Sequence, residues 1–565
     1  MPNCRALILT AMSLMPASLT AQQFAPDPGV DSVFASYDRT DAPGCAVGVY
    51  QDGRIRYARG YGLADLEHRV LITPATVFDI GSTSKQFTAA TILLLQQEGK
   101  LSLDDDVRRF LPELPDYERP ITIRHLLHHT SGIRDYIGLM RLAGIRTDDV
   151  STPDDALQMI ARQRALNFLP GEEHLYSNSG YFLLSLIVER AAGRSLRDEA
   201  RDRIFVPLGM TRTAYLGDYA DVVPDRAIGY EPQDSGYRAD MPRWLQLGDG
   251  AVFTTVEDLV HWGENFRTTR VGGSAMRDAL LTRGRLASGK ELDYALGLMR
   301  GEHRGLPTVF HGGSWGGYVA EFLRFPEQRY GVAVLCNRSD ANPPALALKV
   351  AEAHLGAEMD SLPAVAPVAM AGSAQSPPSA VALRPLETYA GTYRAAGTGN
   401  LVTIAVEDGA LRVLEPGRFE VVARSADEFD VVGTPVTVRL IFAAGATSDA
   451  PAAQVTSIVA GEEEVLHRIT GGPVTPESVT AFAGTYHSAE LAASLSVTRA
   501  DTALTLVLRN ASPRPLRPFG DDQFRAGGLT LRFTRDAAGK VTGLLVDQGR
   551  ARGMRFERTD VMPKE

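Results

Sequence analysis

The segment Phe78-Asp79-Ile80-Gly81-Ser82-Thr83-Ser84-Lys85-Gln86-Phe87 begins a long apolar stretch that ends near Gly99. This composition predicts a helix that starts close to Ser82. Residues three apart on a helix lie on the same face, about one turn from each other, so the Ser82 hydroxyl and the Lys85 ammonium are expected to meet. The N-terminus of a helix also favours negative charge that develops nearby.

A serine hydroxyl becomes a good nucleophile only when a neighbouring group takes its proton. Burial lowers the pKa of a lysine, which lets the uncharged amine act as that base. The pattern Ser-x-x-Lys is weak by itself, but the chain has only six lysines, and Lys85 alone has a serine three residues before it. The sequence therefore predicts Ser82 as a nucleophile and Lys85 as the group that activates it.

A second motif, Tyr176-Ser177-Asn178, lies between the turn signal Pro170-Gly171 and a helix predicted to start near Tyr181. A phenol with a depressed pKa can serve as a second general base, and the Asn178 amide can bind a substrate carbonyl. A loop tyrosine followed by a helix-capping asparagine is the alternative interpretation, and the motif alone does not exclude it.

A third motif, His311-Gly312-Gly313-Ser314, comes just before a pair of predicted strands that begins at Gly317. Glycine leaves room for the close approach of another backbone, here expected to be that of a substrate. The main-chain NH of Ser314 is placed to complete an oxyanion hole with that of Ser82. We therefore expect His311, Gly313 and Ser314 to bind substrate and oxyanion.

Taken in this order, the three motifs resemble those of the serine β-lactamases and penicillin-binding proteins. The resemblance covers residues 30 to about 357, includes LLHHTSGI at 126–133, and is closest to the class C-like branch with its D-aminopeptidases, DD-carboxypeptidases and esterases. It implies an acyl-enzyme on Ser82, proton transfer by Lys85 and Tyr176, and no metal or cofactor. His125 and His129 have the spacing of metal ligands but lack the glutamate of the zinc-protease pattern, so a structural role is expected.

One position departs from the family pattern. The β-lactamases of this family usually carry Lys-Thr-Gly at the third motif, where the lysine helps to hold a substrate carboxylate. His311 is expected to be largely neutral at pH 7 and to bind an anion more weakly. The departure disfavours β-lactams and peptides with a free C-terminus.

The predicted fold class is α+β, with an antiparallel sheet flanked by helices and an all-helical subdomain, as in the β-lactamases and transpeptidases. Residues 43–62 read as two strands around Asp52-Gly53, and residues 317–338 read as two more around Pro326-Glu327-Gln328. Helical patterns lie between these strand pairs. We assign residues 24–357 to this domain.

The remainder of the chain has a different composition. Residues 358–385 are rich in Pro, Ala and Ser and predict a linker. Two small, antiparallel β-barrel-like modules are predicted beyond it, at residues 386–470 and 479–561. Short strand patterns alternate with turns in both, and one five-residue stretch is repeated: Tyr389-Ala390-Gly391-Thr392-Tyr393 reappears as Phe482-Ala483-Gly484-Thr485-Tyr486. This architecture looks like that of D-aminopeptidases, in which the last module reaches the active site. The pair Asp521-Asp522 is interpreted as a solvated turn.

Residues 1–21 have an early positive charge, a short apolar core and a small residue at Ala21, which predicts a signal peptide and a periplasmic or secreted protein. No other segment is long enough to predict a transmembrane span. Cys45 and Cys336 each lie in a strand-like stretch and are expected to be buried free thiols. A net charge of −10 without clustered basic residues disfavours a nucleic-acid partner. The sequence leaves open whether the protein forms a homo-oligomer.

The leading hypothesis is a serine hydrolase of small amides, peptides or esters, of D-aminopeptidase-like or esterase type. A second hypothesis keeps the fold and makes the protein a β-lactamase or DD-carboxypeptidase. A third makes it a slowly acylating envelope binding or sensor protein whose β modules carry the recognition.

Overall fold

The computed structural model describes residues 25–360, 383–395, 401–415, 419–432, 438–443, 447, 450–459, 462–469, 476–501, 503–520 and 522–559. The predicted signal peptide lies outside these ranges, and so does most of the predicted linker. Residues 25–360 form one unit, called the N-terminal domain below. The fold class predicted from the sequence is confirmed.

The N-terminal domain is built on a six-stranded antiparallel sheet. In spatial order its strands are Met299–His303, Leu306–Trp315, Tyr318–Phe325, Tyr330–Cys336, Cys45–Gln51 and Arg54–Tyr61. Both predicted strand pairs are present. The central strands are buried along almost their whole length, because helices cover both faces of the sheet.

Cys45 and Cys336 form a disulfide, so the prediction of free thiols is wrong. The two residues lie directly opposite each other on neighbouring antiparallel strands, with their Cα atoms 4.0 Å apart. The pairing joins positions 291 residues apart in the sequence. Two strand-like segments do not reveal that they are neighbours or which residues face each other, and the sequence therefore gave no sign of the bridge.

Helices surround the sheet and form the second part of this domain. They are Pro28–Phe34, Lys85–Gln97, Ile123–Leu127, Tyr136–Leu142, Pro153–Ala161, Asn178–Ala192, Leu196–Ala200, Val206–Leu208, Val256–Thr268, Gly273–Leu281 and Pro343–Leu355. Single turns of 3-10 helix lie at Ala35–Tyr37, Gly81–Ser84 and Val107–Arg109, and a π-helical turn lies at Arg201–Phe205. Short strands lie at Leu63–Asp65, Val70–Leu71, Phe78–Asp79, Ala214–Tyr215, Tyr230–Pro232, Tyr237–Ala239 and Val252–Thr254.

Two closed antiparallel barrels of eight strands follow. The first barrel, residues 391–469, contains strands Gly391–Ala395, Leu401–Glu407, Ala410–Glu415, Phe419–Ala423, Glu428–Val432, Val438–Phe442, Gln454–Val459 and Glu462–Ile469, and is preceded by the 3-10 turn Leu386–Thr388. The second barrel, residues 484–559, contains Gly484–Ser488, Ala493–Ala500, Ala503–Leu508, Arg514–Gly520, Gln523–Ala526, Leu529–Arg535, Val541–Gln548 and Ala551–Thr559, and is preceded by helix Pro476–Phe482. Buried and exposed positions alternate along their strands, as closure into a barrel requires.

The second barrel packs against the N-terminal domain, and their apolar residues form one continuous buried cluster. The core of the first barrel is a separate cluster. Within the described part of the chain, no helix is long and apolar enough to cross a membrane.

Candidate active site

Ser82 lies in the 3-10 turn Gly81–Ser84, and Lys85 is the first residue of the helix Lys85–Gln97. This helix is buried from Lys85 to Leu95, with the helices Asn178–Ala192, Gly273–Leu281 and Leu196–Ala200 packed against it, so it holds the lysine side chain in the protein interior. The turn brings the two side chains together as the spacing predicted, with 3.0 Å between Lys85 Nζ and Ser82 Oγ.

Lys85 Nζ also donates to Asn178 Oδ1 at 2.9 Å and to the main-chain oxygen of Asp249 at 2.6 Å. Burial lowers the pKa of Lys85 to about 7, although the Asp249 carboxyl acts in the opposite direction. A neutral amine that donates to two carbonyl oxygens keeps its lone pair for a third partner, and the third partner here is the Ser82 hydroxyl. The arrangement therefore suits proton transfer from Ser82 to Lys85.

The hydroxyl of Tyr176 is buried and has no hydrogen-bond partner among the described residues. Burial raises its pKa, and the nearby Ser82 hydroxyl and Arg550 charge offset only part of this effect. The expectation of a depressed pKa is therefore wrong, because enclosure outweighs the neighbouring cation. A neutral phenol in this position is suited to donate a proton, whereas Lys85 is suited to accept one.

Asn178 is the first residue of the helix Asn178–Ala192, three residues before the predicted start. Its Oδ1 is engaged by Lys85, which leaves Nδ2 as the group available to a substrate carbonyl. The main-chain NH of Asn178 donates to Asp135 at 2.6 Å, which fixes the start of this helix beside Ser82.

Other aromatic rings pack against the Tyr176 ring. The His129 ring lies 4.1 Å from it, and the Tyr294 ring lies 6.1 Å from it. His129 Nδ1 accepts from the main-chain NH of Ser177 at 3.1 Å, so this histidine positions the second motif. His125 serves in a capping box with Thr122, which fits the structural role predicted for it.

Glycines let the third motif contact the nucleophile turn. A Cβ on Gly313 would lie 1.9 Å from the main-chain oxygen of Ile80 and 3.0 Å from the Ser82 nitrogen, and one on Gly81 would lie 2.7 Å from the Ser314 nitrogen. Glycine is required because the protein's own backbones meet here, whereas the sequence suggested the approach of a substrate. The amides of Ser82 and Ser314 are thereby brought to the same place, as an oxyanion hole requires.

His311 is buried on the strand Leu306–Trp315 at the edge of the cavity. Its Nε2 and the Tyr294 hydroxyl are 3.1 Å apart, and its Nδ1 is 2.6 Å from the main-chain oxygen of Gly312. Burial lowers the pKa of His311 to about 4, and the nearby Lys85 charge acts in the same direction. His311 is therefore uncharged at neutral pH, which agrees with the weak anion site predicted at this position.

These residues line a cavity of about 1160 Å³ at the junction of the sheet, the helices and the second barrel. The second barrel contributes Arg550, which lies in the hairpin loop between its last two strands. The Arg550 guanidinium lies 4.5 Å from the centre of the Tyr176 ring. Asp522, by contrast, forms an ion pair with Arg535 at 2.6 Å, and it is not among the residues that line the cavity.

Sequence reasoning missed Asp249 and Arg550. Asp249 lies between two glycines, a weak turn signal that does not point to Lys85. Arg550 follows Gly549 in an ordinary hairpin turn 465 residues after Lys85, and no local pattern links the two. His129 was noticed as part of the histidine pair, but its contact with Tyr176 depends on the packing of separate segments. No described group of three or more His, Cys, Asp or Glu is placed to hold a metal ion.

The fold, and a serine paired with a buried lysine of lowered pKa, define a serine hydrolase. The family model described as beta-lactamase matches residues 30–357, and the protein belongs to this family. The chain is 28% identical over 537 residues to the D-aminopeptidase of Brucella canis, a match that covers 91% of this chain and 96% of the relative. It is 32% identical over 316 residues to the D-aminopeptidase of Gluconobacter oxydans, which covers 56% of this chain and 59% of the relative.

A solved structure, the octameric penicillin-binding protein homologue from Pyrococcus abyssi, is similar with a TM-score of 0.53 and 25% identity. That similarity covers 77% of this chain and 98% of the other chain. The penicillin-binding protein from Bacillus halodurans has the same fold, with a TM-score of 0.51 over 59% of this chain and 100% of the other.

Proposed function

We propose that the protein is a D-aminopeptidase-type hydrolase that cleaves amide or ester bonds of small D-amino-acid substrates through an acyl-enzyme on Ser82. The observation that carries the proposal is the 3.0 Å contact between Ser82 Oγ and a lysine whose pKa is lowered to about 7. The relatives named D-aminopeptidase support the substrate class, and one of them matches nearly the whole chain.

In the acylation step, Ser82 Oγ attacks the substrate carbonyl carbon while its proton passes to neutral Lys85. The carbonyl oxygen becomes negative and accepts from the amides of Ser82 and Ser314. The bond to the leaving group then breaks as that group receives a proton through Tyr176, whose raised pKa keeps the phenol protonated before the step. Water completes the cycle by attacking the ester, with the same groups acting in reverse.

Labelling with a fluorophosphonate, followed by intact mass spectrometry, tests the nucleophile. Wild-type protein is expected to gain one adduct that Ser82→Ala does not form, and turnover of D-alanine amide is expected to fall by about 10³-fold or more. Ser288→Ala removes an exposed hydroxyl outside the cavity and is the matched control. Full turnover by Ser82→Ala would overturn the proposal, and faster hydrolysis of a chromogenic cephalosporin than of D-amino-acid amides and esters would favour a β-lactamase instead.

We also propose that the protein is periplasmic or secreted. The N-terminal pattern supports export, and the Cys45–Cys336 disulfide fits an oxidising compartment. Cell fractionation with N-terminal sequencing of the mature protein tests this proposal. Recovery of the uncleaved chain from the cytoplasm would contradict it.

A further inference from the structure

The second barrel places Arg550 beside the active site, with its backbone hydrogen-bonded to the N-terminal domain. The main-chain oxygen of Arg550 accepts from Asn167 Nδ2 at 2.9 Å and from the Asp135 NH at 3.2 Å. Two residues along, Arg552 pairs with Glu173 at 3.1 Å. The hairpin is therefore attached to the N-terminal domain at Arg550 itself and two residues further on, and the contact of the Arg550 guanidinium with the Tyr176 ring orients that group.

The lining of this cavity contains more cationic than anionic side chains. Its lining includes five arginines, and none of them forms an ion pair with a described acidic residue: Arg141, Arg226, Arg243, Arg514 and Arg550. The three carboxylates of the described lining have donors within the protein. Asp79 accepts from the Gly81 NH, Asp135 from the Asn178 NH, and Asp249 from the Tyr136 hydroxyl. An anionic ligand therefore meets unpaired cations and no free carboxylate.

We infer that Arg550 binds a free carboxylate on the leaving group of the substrate. Tyr176 is the residue that protonates the leaving group, so a group that extends from the leaving atom across the Tyr176 ring reaches the guanidinium above it. A guanidinium pairs with a carboxylate through two parallel hydrogen bonds. Arg550 thus supplies the positive charge for binding a substrate carboxylate, which uncharged His311 does not supply.

The inference rests on the proposed function, and it narrows the substrates from small D-amino-acid amides and esters to those with a free carboxylate on the leaving group. The expected substrate is a dipeptide with an N-terminal D-amino acid, whose leaving group is an amino acid with a free carboxylate. A D-amino-acid amide releases ammonia and has no group for Arg550 to bind. Asp547, the acidic residue of this hairpin nearest to Arg550 in the sequence, accepts from the Gly553 NH at 2.6 Å and is thus engaged within the hairpin.

The test compares D-alanylglycine with D-alanylglycinamide, which share the scissile bond and differ only in the terminal carboxylate. Wild-type protein is expected to prefer the free acid by about tenfold or more in kcat/KM, the contribution of a charged hydrogen bond. Arg550→Ala should bring the ratio close to one. Arg550→Lys should give an intermediate ratio, because an ammonium cannot form the paired contact.

Arg555→Ala is the matched control, since Arg555 lies on the adjoining strand Ala551–Thr559 with its side chain 74% exposed and does not line the cavity. Its ratio should equal that of the wild type. Equal rates on the two peptides by the wild type, or an unchanged preference in Arg550→Ala, would overturn the inference.

Calorimetric titration of Ser82→Ala with the same two peptides separates this inference from the proposed function. If Ser82→Ala binds D-alanylglycine more tightly than D-alanylglycinamide, and the added change Arg550→Ala removes this difference, the carboxylate site is supported independently of the catalytic mechanism. Equal binding of the two peptides overturns it. Turnover that persists in Ser82→Ala overturns only the acyl-enzyme.

Discussion

The two barrels share a buried tyrosine contact but differ in their surroundings. In the first, the Tyr393 hydroxyl donates to the main-chain oxygen of Tyr389 at 2.8 Å, and in the second, the Tyr486 hydroxyl donates to that of Phe482 at 2.6 Å. Of the described residues that line the active-site cavity, six belong to the second barrel and none to the first. The repeated sequence thus reflects a structural role common to both barrels. The loops and the docking surface determine that only the second barrel contributes described residues to the cavity.

The largest expected effect comes from the contact that docks the second barrel. Arg134 has only 3% of its side chain exposed, pairs with Glu490 at 3.2 Å and donates to the main-chain oxygen of Arg552 at 2.9 Å. Arg134→Ala leaves these partners buried and is expected to lower the free energy of unfolding by about 3–5 kcal/mol. Denaturant unfolding measures the loss, and kcat/KM should fall with it.

Arg394→Ala is the corresponding change between the barrels, where Arg394 donates to Gln523 at 3.0 Å. It is expected to cost about 1 kcal/mol, because the contact is only half-buried. Equal losses in the two variants would show that the second barrel is docked no more firmly than the barrels are to each other.

A smaller loss of stability is expected from changes inside the barrels. Tyr393→Phe and Tyr486→Phe each remove one buried hydroxyl that donates to a carbonyl four residues earlier in the chain. Tyr486→Phe is expected to cost about 1 kcal/mol in thermal or denaturant unfolding. Tyr393→Phe is expected to cost more, because the Tyr393 hydroxyl also accepts from Arg468 Nη2 at 3.2 Å, and kcat/KM should be unchanged in both variants. A smaller loss in Tyr393→Phe than in Tyr486→Phe would contradict this prediction.

The smallest expected effect is electrostatic. The proposed acylation step requires neutral Lys85, so kcat/KM should rise with pH through about 7. The Arg550 charge helps to lower the pKa of Lys85, whereas the Asp249 carboxyl raises it. Arg550→Ala therefore raises the pKa of Lys85 and moves the acidic limb of the pH profile to higher pH.

The control for this shift is Arg424→Ala in the first barrel. Arg424 is exposed, pairs with Asp430 and does not line the cavity. Its acidic limb should coincide with that of the wild type. A shift to lower pH in Arg550→Ala would contradict the assignment of the limb to Lys85.

Much of the N-terminal domain was predictable because its signals are local. The hairpin at Asp52-Gly53 and the helix after Ser82 each depend on residues close together in the chain. The Cys45–Cys336 bridge was not predictable, because strand neighbours 291 residues apart carry no mark of their pairing. The pKa of Tyr176 was predicted in the wrong direction, since burial depends on the aromatic rings that several segments bring around it.

The sequence by itself determined the fold class, the Ser82–Lys85 pair and the order of the three motifs, because helix periodicity and short spacings are properties of the chain alone. Only the tertiary structure decided that the Tyr176 phenol is neutral and that Arg550 lies beside the active site. Both depend on desolvation and on approach across long separations, as when the second barrel brings Arg550 to Tyr176. The third motif has His311 where the β-lactamases of this family usually have a lysine, and in the tertiary structure the cation near the active site is Arg550 of the second barrel. No spacing in the sequence links these two positions.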